Sequence, residues 1–179
     1  YKAAPEPWKQ HLKQLANKFL EQENAAYRFV DSEIVEITSQ QEVKEVELAL
    51  SDSPEHINSH FVRALELLSD RQHPDYRNSI KESIAAVEAA CQRVAGDSKA
   101  ALGHCLKKIK SHGYMHPAFE QSLMKLYGYT SDSGGIRHAL TEQDENPSYA
   151  DAKFMLVVCS AFVNFLWARA SELEINFKK

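Results

Sequence analysis

The sequence predicts an all-α fold, an antiparallel helical bundle entered by an N-terminal helical arm with one small β-hairpin. Apolar residues recur at helical spacing along nearly the whole chain. Caps and helix-stop glycines punctuate those stripes at intervals that suit bundle helices. Only one short stretch carries a strand signal.

Residues 5–23 place Trp8, Leu12, Leu15 and Phe19 on one stripe, as in an amphipathic helix. Residues 27–38 then switch to short β-type runs on either side of Asp31 and Ser32, which predicts the hairpin. Ser39 followed by Glu42 forms a capping box that opens a helix using Val43, Val46 and Leu50. Ser53 and Pro54 read as N-cap and first helical residue of the next helix, whose stripe is Ile57, Phe61, Leu65 and Leu68. After a polar break at 69–74, Asp75 caps a long helix with the apolar line Ile80, Ile84, Val87, Cys91 and Val94, and Gly96 ends it. Ser98 opens a helix carrying Leu102, Leu106 and Ile109, which Gly113 stops. The helix over 116–127 starts near Pro117 and uses Phe119, Leu123 and Leu126, with Gly128 at the expected C-terminal stop. A last helix runs from about Ser148 into the 170s. Residues 1–52 therefore form an arm or connector with the hairpin, and residues 53–179 form the bundle.

Composition bounds the function. At 179 residues and 44% apolar content the chain is long and apolar enough for a proper core. A net charge of −4 gives no broad footprint for nucleic acid, so DNA is not an expected partner and any anion site must be a local basic pocket. The cationic cluster Lys107, Lys108 and Lys110 reads as a solvated helix face. Cys91, Cys105 and Cys159 are isolated on helical stripes and read as reduced core thiols of a cytoplasmic protein. Residues 154–167 are the most apolar run, but Ser160 and Asn164 and the short length favour a core helix over a membrane span. The chain opens on Tyr1 rather than methionine, as expected of a piece of a longer protein, which leaves targeting unread.

The stretch richest in chemistry is 126–140, LYGYTSDSGGIRHAL. Gly134 and Gly135 admit a sharp turn and close approach of the backbone to a ligand. Arg137 suits phosphate or carboxylate, and His138 exchanges a proton near neutral pH. A phosphate ester uses all of these features, although the same residues also fit ordinary cap and surface contacts. A second polar group lies on the helix after Asp75, where Arg77, Lys81 and Glu88 fall to one side with Glu82 next to them. These line a cleft or form weak surface pairs, and the polar side of this helix is the first expectation for a dimer surface. His56 and His60 share i, i+4 spacing without a third ligand, so no metal or other cofactor is expected. Phosphate-loop, dinucleotide and nucleophile-elbow motifs are absent from the sequence.

Three ordered blocks, RNSIKESIAAVEA at 77–89, KLYGYTSDSGGIRHAL at 125–140 and DAKFMLVVCSAFVNFL at 151–166, resemble the C-terminal domain of bacterial AbiJ-type abortive-infection proteins. That domain belongs to the HEPN superfamily, and the resemblance covers roughly residues 53–170. It implies a helical bundle that dimerises, binds RNA or nucleotide, and in many members acts as a metal-independent ribonuclease in antiviral defence. It also implies an N-terminal domain ahead of the connector. By that resemblance His138 is the acid/base, Arg137 the phosphate clamp, and Asp132 or Glu82 the group that orients the imidazole. The chain departs from the superfamily's Arg-x(4–6)-His motif, because Ser131, Asp132 and Ser133 occupy the arginine positions relative to His138. The alternative is a non-catalytic module for dimerisation or for binding a nucleotide or partner.

Overall fold

The computed structural model describes residues 5–23, 25–37, 39–111, 113, 115–131 and 146–172. Among them are seven helices and one two-stranded sheet: α1 (Glu6–Gln22), β1 (Arg28–Val30), β2 (Glu33–Val35), α2 (Gln40–Asp52), α3 (Glu55–Ser69), α4 (Tyr76–Ala95), α5 (Leu102–Ser111), α6 (Pro117–Ser131) and α7 (Tyr149–Glu172). This is the all-α fold with a small hairpin that the periodicity predicts.

Local chemistry explains most boundaries. The strands pair antiparallel with Val30 opposite Glu33, and Asp31 takes φ 49° in the tight turn, a conformation open to Asp at modest cost. The Ser39 hydroxyl accepts the Glu42 N–H at 3.3 Å, and Asp75 accepts the Asn78 N–H at 3.0 Å, so both expected caps form. Gly96 closes α4 at φ 64°, where its N–H and that of Asp97 satisfy the last carbonyls.

Three boundaries differ from the sequence expectation. Pro54 itself occupies the cap position of α3 and α3 starts at Glu55, because the extended backbone before a proline delays the helix. Asp97 to Ala100 turn before α5, held by the Asp97 carboxylate on the Lys99 N–H, so the helix begins at Leu102 rather than Ser98. Helix α6 runs through Gly128 to Ser131. A single glycine costs about 1 kcal/mol relative to alanine and does not break a helix whose Leu123, Leu126 and Tyr127 pack on the core.

The core joins α2, α3, α4, α5 and α7 with residues of the hairpin. Helix α4 lies at its centre, against α3, α5 and α7, and α2 covers α7. Tyr76 and Tyr149 meet edge-on at 5.9 Å, so the N-terminal ends of α4 and α7 lie together. At the other end the Trp167 indole N–H donates to the Ser53 hydroxyl, which sets α3 antiparallel to α7. Asn164 bridges to the carbonyl and carboxylate of Glu45 at 2.9 and 2.8 Å and ties α7 to α2. Helix α7 is long and apolar enough to meet the length and composition of a membrane span, and here it is the core helix that buries Met155, Leu156, Cys159, Val163 and Leu166.

Helix α1 departs most from expectation. Its ends match, but the stripe Trp8, Leu12, Leu15 and Phe19 faces outward. The polar side docks instead: Asn17 exchanges two hydrogen bonds with the Phe29 backbone at 2.7 and 2.8 Å, and Lys13 pairs with Glu47 at 2.6 Å.

Phe61 is fully buried on α3, among residues of the central core. Phe61→Ala is expected to cost about 3–5 kcal/mol, read as a lower urea midpoint at unchanged m-value.

Candidate functional site

The stretch that sequence marks for phosphate chemistry, 126–140, begins in the last turns of α6 and continues into the connection to α7. Asp132, Gly134, Gly135, Arg137 and His138 fall outside the described residues. Their frame is described on both sides: α6 delivers the chain at Ser131, and α7 receives it at Tyr149.

The receiving end is chemically closed. Ser148 accepts the Asp151 N–H at 3.3 Å, while the Asp151 carboxylate takes the Ser148 hydroxyl and N–H at 2.7 and 2.8 Å. The Ser148 hydroxyl, then its amide, holds the Asp151 carboxyl below the usual range. A carboxylate of the chain itself therefore occupies the positive end of α7, where a free anion would otherwise be drawn.

Next to this end is a cavity of ≈ 170 Å³ between the hairpin, the α3–α4 turn and α7. Tyr27, Glu36, Arg71, Tyr76 and Tyr149 are among its lining residues, and the Arg71 guanidinium sits 4.6 Å over the Tyr27 ring. The volume is below that of ordinary small-molecule sites, about 300–1,000 Å³, so a whole nucleotide does not fit inside. The Tyr149 hydroxyl is buried and completes no hydrogen bond. Burial is the largest cause that pushes this phenol up from its ordinary value; the Glu36 charge adds to the rise and the nearby Glu36 amide opposes it.

The polar group on α4 is divided by the helix. Arg77 and Lys81 are half-buried at the margin of the Ile80–Ile84–Val87 stripe rather than opposite to it. Successive residues diverge by about 100°, and Glu82 turns toward α3, where its carboxylate meets Nδ1 of His60 at 2.6 Å. Both side chains of this pair are about one third exposed, at 38% and 33%. A carboxylate on Nδ1 fixes the ring, so His60 is an oriented imidazole on the described surface. Sequence spacing could not reveal it, because the partners stand 22 residues apart on different helices.

The remaining groups are structural. Lys110 pairs with the buried Glu120 at 3.1 Å and joins α5 to the first turn of α6. Burial pushes the Cys91 and Cys159 thiols well up, which keeps them un-ionised and unreactive. Among the described residues no three His, Cys, Asp or Glu side chains converge as metal ligands.

Residues 1–52 match a family model described as AbiJ N-terminal domain 4. The match links the chain to AbiJ-type abortive-infection proteins through an N-terminal domain, not through a C-terminal HEPN domain. The matched residues are those expected from sequence to form the arm or connector. No curated protein and no solved structure matches the chain.

Tyr149→Phe removes a buried hydroxyl without a partner and is expected to raise stability by about 1 kcal/mol, measured by chemical denaturation at pH 7. In the wild type the unfolded chain loses the tyrosine proton near pH 10 while folded Tyr149 retains it. The unfolded state then binds fewer protons, so wild-type stability falls as pH rises above about 10. The variant should lose that part of the alkaline slope.

Proposed function

We propose that this chain is the RNA-directed part of an abortive-infection defence protein, with its phosphate chemistry in the connection between α6 and α7. The match of residues 1–52 to an AbiJ domain supports the defence context. The sequence from Gly134 to His138, which joins two glycines to a fixed cation and an imidazole, carries the chemical reading.

The reaction that suits these groups is transesterification of RNA. The His138 imidazole takes the proton of a ribose 2′-OH as the 2′-oxygen forms its bond to phosphorus. The bond from phosphorus to the 5′-oxygen breaks, and that oxygen takes a proton from an acid, which a second copy's protonated His138 supplies. The products are a 2′,3′-cyclic phosphate and a 5′-hydroxyl. Arg137 neutralises the charge that grows on the phosphoryl oxygens. Because Glu82 is engaged with His60, orientation of His138 falls to Asp132 in this reading.

A second reading has its own support. Arg137 and His138 are adjacent and lack the Arg-x(4–6)-His spacing, which favours a module that binds RNA or nucleotide without cleaving it.

Wild type, His138→Ala, His60→Ala and Arg137→Ala are to be incubated with total RNA in EDTA. Cleavage is expected for wild type and His60→Ala, with a loss of at least about 100-fold for His138→Ala. Equal cleavage by wild type and His138→Ala, or none by either, would sink the ribonuclease reading. Loss of cleavage in His60→Ala alone would move the chemistry to the α3–α4 surface. RNA bound intact by wild type and released by Arg137→Ala would establish the non-catalytic module.

A further inference from the structure

The cavity beside the start of α7 is walled by three tyrosines from three parts of the chain. Tyr27 precedes β1, Tyr76 opens α4 and Tyr149 opens α7. The last two rings meet edge-on at 5.9 Å, and the contact between α4 and α7 holds them there. The Tyr149 hydroxyl is buried and forms no hydrogen bond, so its ring rather than its O–H is what this residue can offer a ligand. Ile34, Val35 and Leu68 add apolar side chains to the wall.

Charge on the wall selects a cation. Glu36 and Asp70 line the cavity against a single guanidinium, that of Arg71. The His73 and Gln72 amides hold the Asp70 carboxyl below its usual range. Among the described residues the Glu36 carboxylate forms no hydrogen bond or ion pair. A phosphate or carboxylate would meet net negative charge here. The rings agree with the carboxylates, because a tyrosine face carries the negative lobe of its quadrupole. Arg71 makes that preference visible: it is exposed on the α3–α4 turn, with water all around it, yet its guanidinium lies 4.6 Å over the Tyr27 ring.

Hydrogen bonding narrows the class. A primary ammonium brings three N–H donors, each of which needs an acceptor once it leaves water. A methylated ammonium carries the same charge, has fewer N–H groups or none to satisfy, and presents methyl groups to ring faces. At ≈ 170 Å³ the cavity has room for such a compact head and leaves the rest of its carrier outside. We propose that this cavity binds a methylated ammonium group, which takes the place of Arg71 on the Tyr27 ring and is held by the three tyrosines and the Glu36 carboxylate. All of these groups lie among the described residues, and none takes part in the proposed RNA chemistry.

Nuclear magnetic resonance titration of the isotope-labelled chain with tetramethylammonium chloride tests the head group alone. Choline against its uncharged carbon isostere, dimethylbutanol, tests the need for charge. Saturable shifts are expected at Tyr27, Glu36, Tyr76 and Tyr149, and choline should bind at least about threefold more tightly than the isostere. Arg71→Ala removes the competing cation and should tighten choline binding roughly two- to fivefold, the worth of an exposed cation–ring contact. Tyr27→Ala, at a residue 38% exposed, should weaken it by a similar factor with unchanged helical circular dichroism. Either carrier supports the proposal: tighter binding of a trimethyllysine peptide than of choline assigns the group to a protein side chain, and the reverse order to a free small molecule. Absence of saturable shifts, equal binding of choline and dimethylbutanol, or binding in Arg71→Ala but not in the wild type would overturn it.

Discussion

The structure depends on the close contact between α4 and α7. Helix α4 buries Ser79, Ser83, Ala86 and Ala90 among its isoleucines, and α7 buries Ala152 and Ser160 among larger side chains. Small residues let helix backbones approach, and the two α4 hydroxyls are bonded within the core, whereas the buried Ser160 hydroxyl completes no hydrogen bond. Ser79 donates to the Ala64 carbonyl of α3 at 2.8 Å, and Ser83 donates one turn back to Ser79 at 3.0 Å. Once α4 and α7 are set, α3 lies in the angle between them, α2 covers α7, and α5 closes the far side of α4. The meeting of Tyr76 and Tyr149 follows from the same pairing and fixes where the connection from α6 must arrive.

That arrival point shapes the functional reading. The Ser148–Asp151 box already uses the electropositive end of α7, so the proposed function takes no help from that helix dipole. The aromatic cavity next to it is smaller than ordinary small-molecule sites, so it does not enclose a whole nucleotide.

Legibility in the sequence followed the range of the interaction. Caps are local, so Ser39, Asp75 and Gly96 could be read directly, and α7 could be placed from its apolar run. Gly128 misled because a stop signal within a segment does not register the packing that carries α6 onward. The stripe of α1 gave the helix but not the direction it faces, since periodicity fixes which residues share a side and is silent about which side is docked. The His60–Glu82 pair was out of reach for the same reason: it exists only once α3 and α4 lie side by side. Of the candidate site, the α4 residues Arg77, Lys81 and Glu82 could be followed into the structure, and the residues of the α6–α7 connection are framed by it.

The position of α7 in the chain has a consequence for biosynthesis. Helices α2, α3 and α4 are complete by residue 95, yet each packs on a helix that begins at residue 149. A nascent chain that has passed Ala95 therefore holds its apolar faces uncovered for more than fifty further residues, and the contacts that cover them are long-range and slow to form. Final assembly of the core waits for α7, so any chemistry carried by the α6–α7 connection becomes organised only when translation of the bundle is nearly done. A truncated product ending before Tyr149 would expose the apolar faces that α7 covers and be a substrate for quality control rather than a partially active protein.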